Sequence, residues 1–327
     1  MELLTFVIVL ALCAELVNGW TDAPNAIATS VSTRVLSLPT GIAMAVFFNI
    51  VGVFAGDKVS KTVGKEIVDP ALIDLTTLGV AVFCVICWGV LAGAVKGFPI
   101  SKSHALLASV GGAAVAKAGT GVLIWSGWVK IGIGLLLCSI GGFFLSLLIC
   151  KVIIRMSGES PTTPMRRFFD RAQVASAGFM AFNHGMNDGQ KFVGIITMAM
   201  VLGQAIPEFH IQWWVPYTCA GIMGLGTALG GRKIIHKTCS KMGRIESWQG
   251  CATETSGSLV ILLASSLGIP LSTTHSTLSS LMGAMYSRGV GRVHWGTALN
   301  IISAWIFTFI VCAGFAFTLM HAVMFVK

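Results

Sequence analysis

The chain has 327 residues, of which 55% are hydrophobic and only 11% are charged, whereas an ordinary soluble domain is about 25% charged. These values exclude an ordinary soluble enzyme, a disordered chain and a collagen-like chain. The net charge of +9 would favour nucleic acid as a partner in a soluble protein. In a membrane protein, Lys and Arg collect in cytoplasmic loops instead, so no nucleic-acid partner is expected.

Uncharged runs recur along the chain at about 20 residues, the length that a helix needs to cross a bilayer core. An apolar run over residues 3–17 precedes the uncharged ones; it has no basic region before it and contains Glu15, so we interpret it as a membrane segment and not as a signal peptide. The runs are continuous and do not alternate, which favours helices over barrel strands. The later runs are residues 35–56, 78–95, 131–150, 211–231, 255–287 and 295–320.

Basic residues predict the orientation of these spans. Segments 151–171 and 232–244 are rich in Lys and Arg, whereas the loop 205–214 between them contains neither. Because basic loops stay in the cytoplasm, both basic segments are predicted to be cytoplasmic. The nine cysteines lie in or between apolar runs without a framework of paired spacings, so neither a disulfide scaffold nor a zinc site is expected.

Two motifs recur in the same order at nearly one offset. The segment GWTDAPN at 19–25 aligns with GMNDGQK at 185–191, and FPISKSH at 98–104 aligns with IPLSTTH at 269–275. Such a pattern indicates an internal duplication. If each half crosses the membrane an odd number of times, the second half is inverted relative to the first, as in many secondary transporters.

The predicted fold class is therefore an all-α polytopic membrane protein with two inverted-topology repeats, broken or re-entrant helices and about 10–12 membrane segments. The predicted organisation is a first repeat over 1–150, a basic cytoplasmic linker over 151–171 and a second repeat over 172–327. Each half is expected to contain a helix pair that is broken at the aspartate motif.

Polar residues surround the first aspartate motif inside an apolar segment, where they mark a site unless they pair with one another. Gly19 and Pro24 favour local unwinding, which frees carbonyl oxygens to bind a cation. The alternative is that these polar groups only hold neighbouring helices together. The first cluster is Glu15, Asn18, Asp22, Asn25 and Thr29, and the second is His184, Asn187, Asp188 and Lys191.

Pro99 and Pro270 each precede a run of Ser, Thr and His that is predicted to open a helix. A helix N-terminus carries about half a positive charge and free N–H groups, which suit an anion. Two such termini would clasp one tetrahedral oxyanion. The alternative is two capped helices without a ligand, with His104 and His275 bracing the turns through hydrogen bonds.

Four residues of these segments lack a matching partner in the other half. Gln249 and Glu254 precede the second Pro-x-Ser motif but align with apolar residues in the first half. An acidic residue on one side only suits a coupled cation better than the anion. Lys102 and Lys191 would attract an anion or neutralise an aspartate.

The chain resembles the inorganic phosphate transporter (PiT) family, especially its prokaryotic members, over nearly its whole length. The resemblance rests on NGWTDAPNAIAT at 18–29, TVGKEIVD at 62–69, HGMNDGQK at 184–191 and PLSTTH at 270–275. It implies a homodimeric carrier in the cell membrane that moves inorganic phosphate with sodium or protons by alternating access, without a cofactor. The alternative substrates are another oxyanion such as sulfate, or a metal–phosphate complex.

The resemblance also implies roles for individual residues. The phosphate ligands would be Asp22, Asn25, Ser101, Ser103, Asp188, Gln249, Ser272, Thr273 and Thr274. The cation ligands would be Asp22, Asn25, Asp188 and Glu254. This sequence departs from the family at Lys102, where another Ser or Thr is usual, and at Trp20-Thr21. The Lys102 ammonium would replace one sodium ion.

An enzyme is not expected. The Ser-x-Ser-His run at 101–104 contains a nucleophile and a base, but no third group to orient them is apparent.

Overall fold

The computed structural model describes residues 1–95, 100–158, 162–230 and 245–326. These segments are helical almost throughout, and the described residues form no β-strand, only an isolated antiparallel bridge between Val68 and Leu123. The all-α class is confirmed. Pro99 and the basic segment 232–244 lie outside the described residues.

The first half begins with α1, whose last residue precedes Asp22, and ends with a long helix that contains one π-helical turn. Its α-helices are α1 (Glu2–Thr21), α2 (Ala28–Ser32), α3 (Leu38–Val53), α4 (Lys58–Lys65), α5 (Leu75–Trp88), α6 (Lys102–Ala118), α7 (Trp125–Leu136) and α8 (Gly142–Ser157). A 3₁₀ turn, Ala23–Ala26, follows α1, and π-helical turns extend α5 over Gly89–Val95 and join α7 to α8 over Leu137–Gly141.

The described part of the second half contains six α-helices. Its α-helices are α9 (Thr163–His184), α10 (Gln190–Leu202), α11 (Trp214–Leu229), α12 (Ser247–Ser266), α13 (Thr273–Tyr286) and α14 (Trp295–Val326). A π-helical turn, Gly185–Gly189, joins α9 to α10. Arg166, Arg167 and Arg171 of the predicted linker therefore lie on α9, because the helix begins at Thr163.

Four helical segments among the described residues are long and apolar enough to cross a bilayer: Glu2–Thr21, Leu75–Gly93, Trp125–Ser157 and Trp295–Val326. The helices α3 and α4 make a fifth if they count as one span, although they meet at a bend of 70°. Large apolar side chains face outward along these helices, including Phe47 at 61% exposure and Ile306 at 60%. Apolar surface of this kind is typical of contact with lipid and not with water.

Helices of one half pack on helices of the other in matching pairs. Helix α1 packs on α11 and α3 packs on α9, while α6 packs on α14 and α13 packs on α8. Glycines allow the closest crossings. A Cβ on Gly226 of α11 would collide with the backbone of Leu16 and Trp20 on α1, and one on Gly185 would collide with the backbone of Asn49 on α3. Small residues at such crossings let two helix backbones approach each other inside a membrane.

Candidate functional site

Both Pro-x-Ser motifs place a serine at the start of a helix. The hydroxyl of Ser101 accepts a hydrogen bond from the backbone N–H of His104 at 3.2 Å, and Ser272 does the same with His275 at 3.2 Å. Both serines have extended backbone angles and cap α6 and α13, as Ser does at helix N-termini. The remaining hydroxyls of the two runs, on Ser103, Thr273 and Thr274, are all buried.

The first aspartate motif breaks its helix as predicted. Helix α1 ends at Thr21, and Asp22 is followed by the 3₁₀ turn because Pro24 has no N–H to continue the α-helix. The Asp22 carboxylate accepts a hydrogen bond from the Thr274 hydroxyl at 3.1 Å and lies 3.6 Å from the Lys102 ammonium. The amide of Asn25 donates to the same Thr274 hydroxyl at 3.5 Å. The first aspartate is thus tied to both serine-capped helices.

The second aspartate motif does not break its helix, so the expected interruption there is wrong. The chain stays helical from Thr163 to Leu202 and accommodates the motif in the π-helical turn Gly185–Gly189. The physical reason is that this copy of the motif has no proline, so the chain passes through it in a π-helical turn and does not unwind.

The Asp188 carboxylate has a partner on each oxygen. Its Oδ1 accepts from the Lys191 ammonium at 2.6 Å, and its Oδ2 accepts from the Thr273 hydroxyl at 3.0 Å. The Nε2 atom of His184 lies 3.3 Å from Oδ2, while the other ring nitrogen of His184 contacts the side-chain oxygen of Asn49 at 2.9 Å. The second aspartate therefore has the same kinds of partner as the first, one lysine and one threonine.

Lys191 connects three of the four motifs. Its ammonium, which is 1% exposed, donates to Asp188 at 2.6 Å, to the Ser103 hydroxyl at 2.5 Å and to the backbone oxygen of Leu271 at 2.6 Å. These three bonds use every N–H that a lysine ammonium has. With Asp22 and Asp188 paired to Lys102 and Lys191, these four side chains carry no net formal charge, and the two helix N-termini leave a partial positive charge that suits an anion.

Glu254 lies in a separate cluster of neutral donors. Its Oε1 accepts from the hydroxyls of Thr29 at 2.5 Å and Ser30 at 2.6 Å, and its Oε2 accepts from Ser176 at 2.5 Å. Gln173 donates to Oε1 from 3.5 Å. No motif in the sequence marked Ser30, Gln173 or Ser176. Gln173 and Ser176 are three apart on α9, a spacing that places two polar groups on one face of a helix and would have been the only signal.

Gln249 is not brought to the cluster around Lys191. Its side chain accepts from the backbone N–H of Glu246 at 3.1 Å, which closes a capping box at the start of α12, and donates to the oxygen of Ala284 at 3.1 Å. Ala284 lies ten residues beyond Thr274 on α13, a distance of about 15 Å along a helix.

The two motif histidines do not brace the turns with their rings. The rings of His104 and His275 meet edge to face with centroids 4.4 Å apart, and His275 stacks on Trp305 at 3.5 Å. Neither ring nitrogen of His275 has a hydrogen-bond partner among the described residues. It is their backbone N–H groups that complete the serine caps.

A cavity of about 360 Å³ lies between the bend of α3 and α4 and the start of α10. Its lining includes Ser60, Lys61, His210 and Gln190, the residue before Lys191 in sequence. The sequence analysis did not predict this cavity, because the loop and helices that line it are far apart in the chain.

Comparisons with known proteins agree with this architecture. Residues 18–316 match the model of the phosphate transporter family. The chain is 36% identical over 310 residues to a probable low-affinity inorganic phosphate transporter of Bacillus subtilis, covering 94% of this chain and 93% of the relative. It is 37% identical over 309 residues to a protein of the same description from Rhizobium meliloti, covering 94% and 92%.

The fold is shared with a solved structure described as the sodium-dependent phosphate transporter, with a TM-score of 0.91, 19% identity and 100% of both chains covered. The family and these relatives are transporters and not enzymes. The chain is therefore a multi-pass membrane protein that belongs to the phosphate transporter family.

Proposed function

We propose that this chain is a symporter that carries inorganic phosphate across the cell membrane together with a cation, either sodium or a proton. The observation that carries the proposal is the position of Lys191, which bonds at once to Asp188, to Ser103 of the first serine motif and to Leu271 of the second. Two serine-capped helix N-termini and the second aspartate motif thereby meet at one buried point, and Asp22 of the first aspartate motif contacts the same two helices through Thr274 and Lys102.

Phosphate would bind between the two helix N-termini. The hydroxyls that now donate to Asp22 and Asp188 would turn to the phosphate oxygens, and the lysine ammoniums would offset its charge. The proposed phosphate ligands are Asp22, Asn25, Ser101, Ser103, Asp188, Gln249, Ser272, Thr273 and Thr274. Gln249 would first have to leave Ala284, which requires α12 and α13 to rearrange.

The coupled cation would bind through Asp22, Asn25, Asp188 and Glu254. The side-chain oxygen of Asn25 supports this assignment, because it is buried without a hydrogen-bond partner among the described residues. A cation close to the aspartates would reduce their repulsion of phosphate. Each ligand would therefore strengthen the binding of the other by the same factor.

Transport would proceed by alternating access, with the inverted repeats 1–150 and 172–327 rocking around the site and with two copies of the chain forming a homodimer. The matching helix pairs, α1 with α11 and α3 with α9, support a pseudo-symmetric arrangement. In carriers of this type the site lies at the repeat interface, near the bilayer midplane.

Uptake of labelled phosphate into proteoliposomes tests the proposal. We expect uptake to be saturable and to depend on a sodium or a pH gradient, and competition by sulfate, arsenate and metal chelators defines the substrate. Asp22→Asn and Asp188→Asn should reduce uptake at least about tenfold, because each removes a charge that orients two donors. Uptake that is indifferent to both gradients would contradict the coupling, and full activity of both variants would contradict the site.

A further inference from the structure

Glu15 is a buried carboxylate for which the mechanism proposed above has no use. It lies on α1 and is fully buried, with Asn18 one turn further along at 1% exposure. The Asn18 amide donates to Glu15 Oε2 at 3.3 Å. The other carboxylate oxygen, Oε1, and the amide oxygen of Asn18 have no hydrogen-bond partner among the described residues.

Among the described residues, the positive group that interacts with Glu15 from another helix is Lys191. The groups that interact with it electrostatically from other elements are Asp188, Lys191 and the thiol of Cys219 on α11. The Lys191 ammonium already donates its three N–H groups to Asp188, Ser103 and Leu271. Glu15 therefore has no ion-pair partner within 4 Å among the described residues, and a buried carboxylate without such a partner is costly unless it takes up a proton.

Glu254 differs from Glu15 in the hydrogen bonds that its carboxylate accepts. It is equally buried, but hydroxyls and an amide donate to both of its oxygens. Glu15 and Glu254 are both absent from the matching half, since the motif alignment places Ala181 opposite Glu15. Of the two unmatched acids, Glu15 is therefore the one with an unused acceptor.

One proton satisfies both orphan oxygens at once. If Oε1 carries a proton, its O–H donates to the Asn18 oxygen while the Asn18 N–H already donates to Oε2, which gives a closed acid–amide pair. A sodium ion would need five or six oxygen ligands, and these two residues supply only two unused ones. The two unused oxygens can therefore both be satisfied by one proton.

We propose that Glu15 and Asn18 form a proton-binding site, at which Glu15 takes up one proton from water and releases it again during each transport cycle. This inference rests on the proposed phosphate symport and adds to it a proton site on α1, separate from the cation ligands proposed above. The site lies one to two helical turns before Asp22, on the helix that leads into the broken segment with the first aspartate.

The test separates exchange of phosphate from proton-driven accumulation. In proteoliposomes, counterflow of labelled against unlabelled phosphate needs no net proton movement, whereas accumulation under a pH gradient does. Glu15→Gln keeps the shape of the acid and can still bond to Asn18, but it cannot release a proton. For Glu15→Gln we expect the rate of counterflow to stay within about threefold of the parent. Both the pH-driven accumulation of phosphate and the proton influx that accompanies it should fall at least about tenfold.

Glu2→Gln is the matched control, because it makes the same change at the exposed first turn of α1, and it should leave both assays unchanged. Proton-driven accumulation by Glu15→Gln would overturn the proposal, as would a parent protein driven by a sodium gradient but not by a pH gradient. Absence of phosphate counterflow in the parent would instead refute the proposed function itself.

A second variant keeps the proposal testable if Glu15→Gln does not fold. Asn18→Asp places a second carboxylate beside Glu15, and two adjacent carboxylates share a proton up to a higher pH than one does. The pH at which accumulation is half-maximal should rise by about one unit or more. An unchanged pH profile in a variant that retains counterflow would overturn the assignment.

Discussion

At the scale of single residues, buried charge dominates the site. Asp22, Asp188, Lys102 and Lys191 are each at most 3% exposed, and none of them would be stable there alone, because an unpaired buried charge costs several kcal/mol. The structure pairs each aspartate with one lysine. All four residues were predicted from the sequence. Their pairing explains why two lysines are buried at the site.

Replacing Lys191 with Met should destabilise the protein by about 3–5 kcal/mol, because the Asp188 carboxylate stays buried without its cation. Mixed-micelle denaturation measures the free energy of unfolding. Lys130→Met is the control, since its pair with Glu66 has both side chains 37% exposed and such pairs contribute at most about 1 kcal/mol. Equal losses in the two variants would show that burial of the Lys191 pair does not matter.

At the scale of elements, capping residues and small residues decide where helices start and how closely they cross. Ser101, Ser272 and Asp74 each accept a hydrogen bond from the backbone at the start of a helix. Glycines at 185 and 226 let backbones touch. The serine motifs predicted two of these helix starts, whereas the crossing partners of the glycines could not be read from local sequence.

A substitution on α11 tests the close crossing with α1. Gly226→Leu should destabilise the protein by about 1–3 kcal/mol or more, because the new side chain meets the backbone of Leu16 and Trp20. Gly221→Leu on the same helix has no atom within 4 Å of its added Cβ and should be tolerated. Thermal unfolding in detergent compares the two, and equal midpoints would contradict the proposed contact.

Asp74 gives the start of α5 a pH dependence. Partial burial acts to raise the pKa of this carboxyl, but hydrogen bonds from the N–H and hydroxyl of Thr77, together with Lys117 at 3.0 Å, outweigh burial and hold the pKa below its usual range. The stabilisation is therefore fully present above about pH 4, the usual pKa of Asp, and is lost as the pH falls through the lower folded-state value.

Asp74→Asn should keep the helix cap but remove this charge. Its unfolding temperature should lie below that of the parent at pH 7, and the difference should shrink as the pH falls below about 4. A difference that stays constant from pH 7 to pH 3 would show that the charge of Asp74 contributes nothing.

At the scale of the whole molecule, the cavity between α4 and α10 is a candidate route to the site. Its lining includes Ser60, whose side chain is buried, and Gln190, the residue before Lys191 in sequence. Under alternating access this route should close when phosphate and its cation are bound.

Ser60→Cys, in a background without the chain's own cysteines, tests this closure. Labelling by a water-soluble thiol reagent should slow at least about fivefold when phosphate and the coupled cation are added. Glu208→Cys, on the exposed loop beside the cavity, should label at one rate throughout. A Ser60→Cys rate that does not respond to phosphate would contradict closure on this side.

The amino-acid sequence by itself determined the membrane class, the positions of most helices, the duplicated motifs and the serine caps. Each of these depends on residues within a few turns of one another, through hydrophobic run length, proline and hydrogen bonds to nearby N–H groups. At the second aspartate motif the break expected from the sequence was wrong, because that copy lacks proline and forms a π-helical turn.

Only the tertiary structure decided which hydroxyl groups contact which charged side chains. Thr29 and Glu254 are 225 residues apart, Asp22 and Thr274 are 252 apart, and Lys191 and Ser103 are 88 apart. Local periodicity carries no information about such pairs, because the contact depends on how whole helices pack. The same packing left Oε1 of Glu15 without a hydrogen-bond partner among the described residues and placed Gln249 away from Lys191, although the sequence had marked both residues as candidates.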